Sequence, residues 1–293
     1  MTLPTPIFAA FQEWLEEKNG ASPEIRSIST VGGGDINQAC RVQCDQGDFF
    51  LKYNDASAYP GMFEAEAKGL SLLAKAGEIP VPPALTTHSG EIYSFLITEF
   101  QQAAPRKGDF WEAFGGNLAR LHRQTQEAFG LDHDNYIGSL PQFNSPQSSW
   151  GEFFVTQRLE PQCKMARDQG QLDSSILRAF ERLYARAEDL FPEEPPALVH
   201  GDLWSGNFMV NKIGEAAIID PAVYFGHREM DLGMSRLFGG FDPAFYRSYA
   251  EEYPLESGWE KRLEIANLYP LLVHVNLFGG SYLHQVAQVL RSF

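Results

Sequence analysis

His200-Gly201-Asp202-Leu203-Trp204-Ser205-Gly206-Asn207, followed after two short apolar runs by Asp220-Pro221, is the stretch on which the reading of this chain turns. Leu198 to His200, Phe208 to Val210 and Ala216 to Ile219 read as three short strands, each followed by a polar cluster. The flanking sequence is helical in its periodicity, so this stretch stands apart. Asp202 and Asn207 lie five residues apart across a loop, and Asp220 ends a strand. Two carboxylates and an amide oxygen are hard donors of the kind Mg²⁺ prefers, and an ionised carboxylate can also take a proton from a hydroxyl.

Residues upstream supply what this set lacks, a cation and a flexible loop. Ile25 to Val31 reads as a strand, Gly32-Gly33-Gly34 with Asp35 and Asn37 as a loop, and Arg41 to Cys44 with Phe49 to Tyr53 as a hairpin turning at Asp45-Gln46-Gly47-Asp48. Glycines let a backbone approach phosphates closely. In the second hairpin strand Phe49, Leu51 and Tyr53 share one face and Lys52 points to the other. Met62 to Lys75 is helical, and Glu66 falls inside its apolar stripe between Phe63 and Leu73, so this carboxylate needs a partner. Ile92 to Phe100 is an apolar strand ending in Glu99 and Phe100, and Gln101 to Gly108 follows as a linker.

The Asp202–Asn207 spacing resembles the catalytic loop of protein kinases, with Asp220 in the place of their metal-binding aspartate. On that template Asp202 is the base, Asn207 and Asp220 hold Mg²⁺, Lys52 paired with Glu66 clamps the phosphates of ATP, and Gly32, Gly33 and Gly34 cover them. Backbone groups at Glu99 and Phe100 would read the adenine edge. More closely, the chain resembles the fructosamine kinase family, a branch of the aminoglycoside phosphotransferase-like kinases. The segments that carry this are Gly32 to Asn37, Phe63 to Ala67, Phe129 to Gly138, His200 to Asn207 and Gly226 to Leu232. Trp204 and Asn135-Tyr136-Ile137-Gly138 favour this branch over the antibiotic-modifying one.

The resemblance implies an α+β, bilobal protein-kinase-like fold, with a nucleotide-binding lobe over residues 1–98 and a catalytic, substrate-binding lobe over 99–293. It implies ATP-dependent phosphorylation of a sugar hydroxyl on a ketoamine, a fructosamine or ribulosamine, giving an unstable ester whose breakdown frees the amine. Trp204 is the first candidate for substrate contact, with Asn135, Tyr136, His274 and Asn276 as further candidates for the acceptor pocket or, equally, as polar groups of the core. Asp231 and Arg228 read either as substrate contacts or as a brace for the metal loop, and His200 as a support of the catalytic loop. Gly201 stands where protein kinases place arginine, and Pro221-Ala222 replace Phe-Gly, so no activation-loop phosphate switch is expected. Asp35 occupies the glycine loop where some family members carry a redox cysteine, with Cys40 beyond it, which argues against that control.

Composition narrows the field independently. The 293 residues carry 38 Asp and Glu against 23 Lys and Arg, a net charge of −15, which repels nucleic acid and anionic lipid and favours amine-bearing acceptors. Hydrophobic residues make up 44%, enough for a substantial core. Three cysteines without regular spacing fit a reducing compartment, so a cytoplasmic location is expected. A monomer is expected as well, and the family resemblance implies a small-molecule ketoamine or a glycated protein lysine as its acceptor. Ile265 to Leu290 lacks Asp, Glu, Lys and Arg, but Asn267, His274, Asn276, Pro270 and Gly279-Gly280 mark buried helices instead of a membrane span. The competing functions are phosphorylation of an aminoglycoside or choline-like alcohol, and a pseudokinase that binds without turnover.

Overall fold

The computed structural model describes residues 3–32 and 36–293, so the expectations on Gly33, Gly34 and Asp35 lie outside the described residues. The first part of the chain is one antiparallel sheet between two helices. Its strands β1 (Ile25–Thr30), β2 (Gln38–Cys44), β3 (Gly47–Asp55), β4 (Ala84–Ser89) and β5 (Tyr93–Glu99) run in the order β1-β2-β3-β5-β4. Helix α1 (Thr5–Asn19) buries Ile7, Phe11 and Leu15 against Val42, Phe49, Leu51, Tyr53 and Ile97 on one face. Helix α2 (Met62–Ala76) covers the other face, packing Phe63 and Leu70 on Leu96. Lys52 is in register with Leu96, so it shares the α2 face while its neighbours Leu51 and Tyr53 fill the α1 side.

The remainder is mainly helical. Helix α3 (Phe110–Leu121) is followed by a hairpin of β6 (Asn135–Ile137) and β7 (Leu140–Gln142). Next come α4 (Trp150–Phe153), a π-helical segment (Phe154–Leu159), α5 (Glu160–Asp168) and α6 (Ser174–Tyr184). The helical stretch opened by Trp150 is a wider coil in its second half, and the helix opened by Ser174 ends at Tyr184, ahead of a short 3₁₀ turn (Ala187–Asp189).

Four short strands follow: β8 (Ala197–Val199), β9 (Phe208–Val210), β10 (Ala216–Ile218) and β11 (Tyr224–Gly226). They form two ribbons, β9 with β10 and β11 with β8. The last of these strands is the one the sequence did not suggest. Five helices complete the chain, α7 (Glu229–Leu237), α8 (Pro243–Glu252), α9 (Trp259–Ala266), α10 (Leu268–Phe278) and α11 (Leu283–Leu290).

Two cores hold this part together. One packs α3 on α8 through Phe114, Leu118, Phe245 and Tyr249. The two helices approach so closely that a Cβ on Gly115 would lie 2.1 Å from the Phe245 carbonyl oxygen. The other joins α5, α6, α10 and α11 through residues such as Ala166, Phe180, Leu272 and Val286. Among the described residues no helix is long and apolar enough to cross a membrane.

Candidate active site

A cleft of about 880 Å³ lies between the sheet and the helical part, and Lys52, Glu66, Asp202, Asn207 and Asp220 meet in it. From the sheet side come Gly32, Lys52, Glu66, Glu99 and Phe100; from the two ribbons come Asp202, Trp204, Asn207 and Asp220. Lys52 Nζ donates to Glu66 Oε1 at 2.6 Å and to Asp220 Oδ1 at 2.8 Å. Burial alone would push the Lys52 pKa down, but the Asp220 and Glu66 carboxylates reverse this and hold it up, so the ammonium stays charged. Burial likewise pushes the Glu66 carboxyl up against the pull of Lys52, and the short contact to a fixed cation favours the ionised pair.

The loop carrying Asp202 is held from behind. Asn207 Nδ2 donates to both the carbonyl oxygen and Oδ2 of Asp202, each at 2.8 Å, leaving the Asn207 amide oxygen without a role in the loop. Burial raises the Asp202 pKa to about 7, with Asn207 pulling it down and Asp220 and Asp231 adding to the rise. Behind the loop Asp231 accepts the backbone N–H of His200 at 2.7 Å and of Gly201 at 2.9 Å, and it lies 3.1 Å from His122 Nε2. Burial would raise the Asp231 carboxyl, but His122 and these backbone donors hold it below its usual value. Asp231 is therefore the brace and not a substrate contact. Arg228 serves elsewhere, paired with Glu194 at 2.6 Å and laid on the Tyr253 ring.

His200 is fully buried, and burial lowers its pKa. Its Nε2 must donate to the Ile219 carbonyl at 3.0 Å, which leaves Nδ1 to accept the Asp202 N–H at 3.3 Å. It supports the loop, as its neighbours suggested. Gly201 has φ +83°, and a Cβ there would stand 2.1 Å from the Ala222 carbonyl oxygen. No side chain fits, which explains in packing terms why arginine is missing from this position. Asp220 also has a left-handed backbone, φ +53°, a conformation aspartate tolerates better than most residues.

The donors available to a metal are the free oxygen of Asn207 and the carboxylate of Asp220, whose side chain is 45% exposed to the cleft. Two oxygen donors from the protein, with the rest left to phosphate and water, suit Mg²⁺. The residues fit the group.

The other expectations fare differently. Asn135 touches the cleft, but its amide donates to the Val223 carbonyl at 2.8 Å while its oxygen accepts from Gln142 at 2.7 Å and Asn144 at 3.0 Å. Both ends are engaged in a network behind the Asp220 loop, which Gln142 extends to the Ala222 carbonyl at 3.0 Å. Arg158 of the π-helical segment anchors it: fully buried, it donates to Asn144 Oδ1 and lies over the rings of Phe153, Tyr224 and Tyr269. Tyr136 lines the cleft, with its hydroxyl donating to Pro60. Asn276 does not reach the cleft, because its amide ties α10 to Gln162 of α5. The Phe100 N–H, expected to face adenine, is taken by the Asp48 carbonyl at 3.1 Å, and Arg41 stacks on its ring.

His274 does reach the cleft, and with it come Phe238, Phe278 and Tyr282. Sequence reasoning missed Phe238 and Phe278, since phenylalanine at a helix end carries no signal of its own. The Arg158 network was missed as well, because its members come from separate elements that only folding brings together. The three cysteines are buried and unpaired, and burial raises the Cys40 thiol to about 11, far from a reactive thiolate.

A cleft between a five-stranded sheet and a helical body, with a lysine–glutamate pair facing an Asp–Asn loop and a strand-end Asp, defines a phosphotransferase of the protein-kinase-like fold. The fructosamine kinase family model matches residues 7–293, and the chain belongs to that family. It is 41% identical over 271 residues to a probable ketoamine kinase of Enterococcus faecium, covering 91% of this chain and 95% of the other. It is 39% identical over 306 residues to the chloroplastic protein-ribulosamine 3-kinase of Arabidopsis thaliana, covering 99% and 91%. The crystal structure of a provisionally assigned fructosamine-3-kinase from Thermobifida fusca superposes with a TM-score of 0.86 at 35% identity, covering 96% and 97%.

Proposed function

We propose that the protein transfers the γ-phosphoryl group of ATP to a sugar hydroxyl of a ketoamine, a fructosamine or ribulosamine. The observation that carries this reading is the convergence of Asp202, Asn207, Asp220 and the Lys52–Glu66 pair in one cleft of a fructosamine kinase family member. In this reading Asp202 takes the hydroxyl proton. Its raised pKa makes it a better proton acceptor than an ordinary carboxylate once it is ionised. Lys52, held by Glu66, positions the α and β phosphates, and Gly32 belongs to the loop that covers them.

Asn207 and Asp220 would hold Mg²⁺, which when bound supplies positive charge against the phosphates. Glu99, at the end of β5, sits where the linker passes the base, with the neighbouring backbone in place of the occupied Phe100 N–H. Trp204 lies beside Asp202 as a flat surface for the sugar. The lobe boundary falls at residues 98 and 99. A cytoplasmic monomer acting on free ketoamines or glycated lysines completes the reading, with release of the amine from the unstable ester as its consequence.

Purified protein with Mg·ATP should phosphorylate fructosamines or ribulosamines in a panel that also holds aminoglycosides and choline. Turnover confined to the aminoglycosides would overturn the reading. A lack of thermal stabilisation by Mg·ATP would instead favour a binding protein that no longer catalyses.

A further inference from the structure

The acceptor side of the cleft is an unbroken run of rings. Trp204, two residues from Asp202, meets Phe238 at 5.9 Å between ring centroids, Phe238 meets His274 at 4.7 Å, and His274 meets Tyr282 at 4.9 Å and Phe278 at 5.5 Å. The run ends at the rim, where Phe278 is 54% exposed and continues the apolar surface of the wall outward. Pro270, Val273 and Leu277 fill the space around it.

Among the described residues the carboxylates lining the cleft are Glu66, Glu99, Asp202 and Asp220, all belonging to the nucleotide side or the reacting centre, and the ring wall itself holds none. A polycationic acceptor would find no counter-charge along it. One polar feature breaks the wall. His274 Nδ1 must donate to the Pro270 carbonyl at 2.7 Å, which fixes the ring and leaves Nε2 as a hydrogen-bond acceptor. Burial lowers the pKa of this imidazole, in keeping with the neutral form.

We propose that Phe238, His274, Phe278 and Tyr282 form a subsite for the amine substituent of the ketoamine, selecting substituents that are aromatic or long and apolar. This rests on the ketoamine reading above and specifies its substrate class. The direction follows from the geometry: a sugar whose hydroxyl meets Asp202 lies by Trp204, and what its nitrogen carries then runs along the rings toward Phe278. His274 Nε2 accepts from the ammonium or from a sugar hydroxyl on the way. An aryl group gains ring contacts on this path that a methyl group lacks.

The test compares two ketoamines of one sugar, N-benzyl and N-methyl, in the wild-type protein and in Phe278→Ala, whose exposed position spares the fold. The wild type should favour the N-benzyl acceptor in kcat/KM by about tenfold, the scale of one well-placed apolar group. Phe278→Ala should reduce that ratio several-fold. Ile213→Ala, at an exposed turn outside the cleft, should leave both rates as they are. Turnover of both acceptors without preference, or an equal loss on both in Phe278→Ala, would overturn the subsite while leaving the ketoamine reading intact. Turnover of neither overturns the ketoamine reading itself and the subsite with it.

Discussion

The two walls of the cleft are built on opposite principles. On the catalytic side the charged groups around the reacting centre are held by fixed partners: Lys52 between Glu66 and Asp220, Asp202 on Asn207, Asp231 on two backbone amides. On the acceptor side the rings touch through their faces and edges, and His274 is fixed by an internal tie to Pro270. Hydrogen-bonded charge is position-sensitive, whereas ring contacts tolerate shifts of their neighbours. The difference teaches that phosphoryl transfer is the fixed property of this site and the choice of acceptor the adjustable one.

Substitutions on the catalytic side should therefore be severe. Asp202→Asn is expected to lower kcat by about 10³-fold or more while ATP binding is kept, and near-normal turnover would refute the assignment of the base. The same change tests the burial of this carboxylate. Its folded pKa, about 7, lies above the ordinary value near 3.8, so its contribution to stability is present below pH 4 and lost as pH rises through 7. The asparagine variant escapes that loss, and its melting temperature should exceed that of the wild type at pH 8 by about 2–4 °C, with the gap closing toward pH 4. In the wild type kcat/KM should climb as pH rises toward 7 and level off above; a flat profile from pH 5.5 to 8 would dismiss Asp202 as the titrating base.

Lys52→Met comes next, with an expected loss of about 10²–10³ in kcat/KM. It also strands Glu66 in a buried position, so thermal stability should fall. Weaker binding of ATP without a drop in stability would show that Glu66 does not depend on Lys52.

Arg158→Met tests whether the catalytic wall extends behind the Asp220 loop. The substitution leaves Asn144 Oδ1 without the Arg158 donor and the rings of Phe153, Tyr224 and Tyr269 without their cation. A cost on the order of 2–4 kcal/mol in urea unfolding is expected, with a smaller loss of kcat than for Lys52→Met. Full stability would mean that the network is carried by Gln142 and Asn135 alone.

Much of this wall was legible because its residues are close in sequence or tied by a simple period. Asp202 and Asn207 share one loop, the strand alternation turned Lys52 away from Leu51 and Tyr53, and the helix wheel placed Glu66 on a buried face. The expectation of a five-apart Asp–Asn pair and a strand-end Asp corresponds to side chains that meet in the cleft. What stayed hidden has a common physical cause. Strand β11, the Arg158 network and the ring wall are made by contacts between distant elements, and nothing local marks Gln142, Asn144 or Phe238 as members of them. Asn276 shows the converse: its polar character within an apolar helix left it open as a pocket residue or a polar group of the core, and the fold makes it a tie between helices. Gly201 was legible as a departure from the protein-kinase pattern, but only the 2.1 Å approach to Ala222 supplies the reason.

The smallest expected effect lies on the acceptor wall. Phe238 links Trp204 to His274 from the end of α7, half-buried. Phe238→Leu keeps an apolar group there but removes the flat surface, so KM for the ketoamine should rise by about threefold to tenfold, with kcat and KM for ATP changing by less than about twofold. The asymmetry is the point of the measurement, because Lys52 is held by Glu66 and Asp220 and Asn207 is tied to Asp202, with the ring of Phe238 in none of these ties. A matching fall in kcat would mean that the rings also set the orientation of the loop between Asp202 and Asn207, and the two walls would then have to be treated as one mechanical unit.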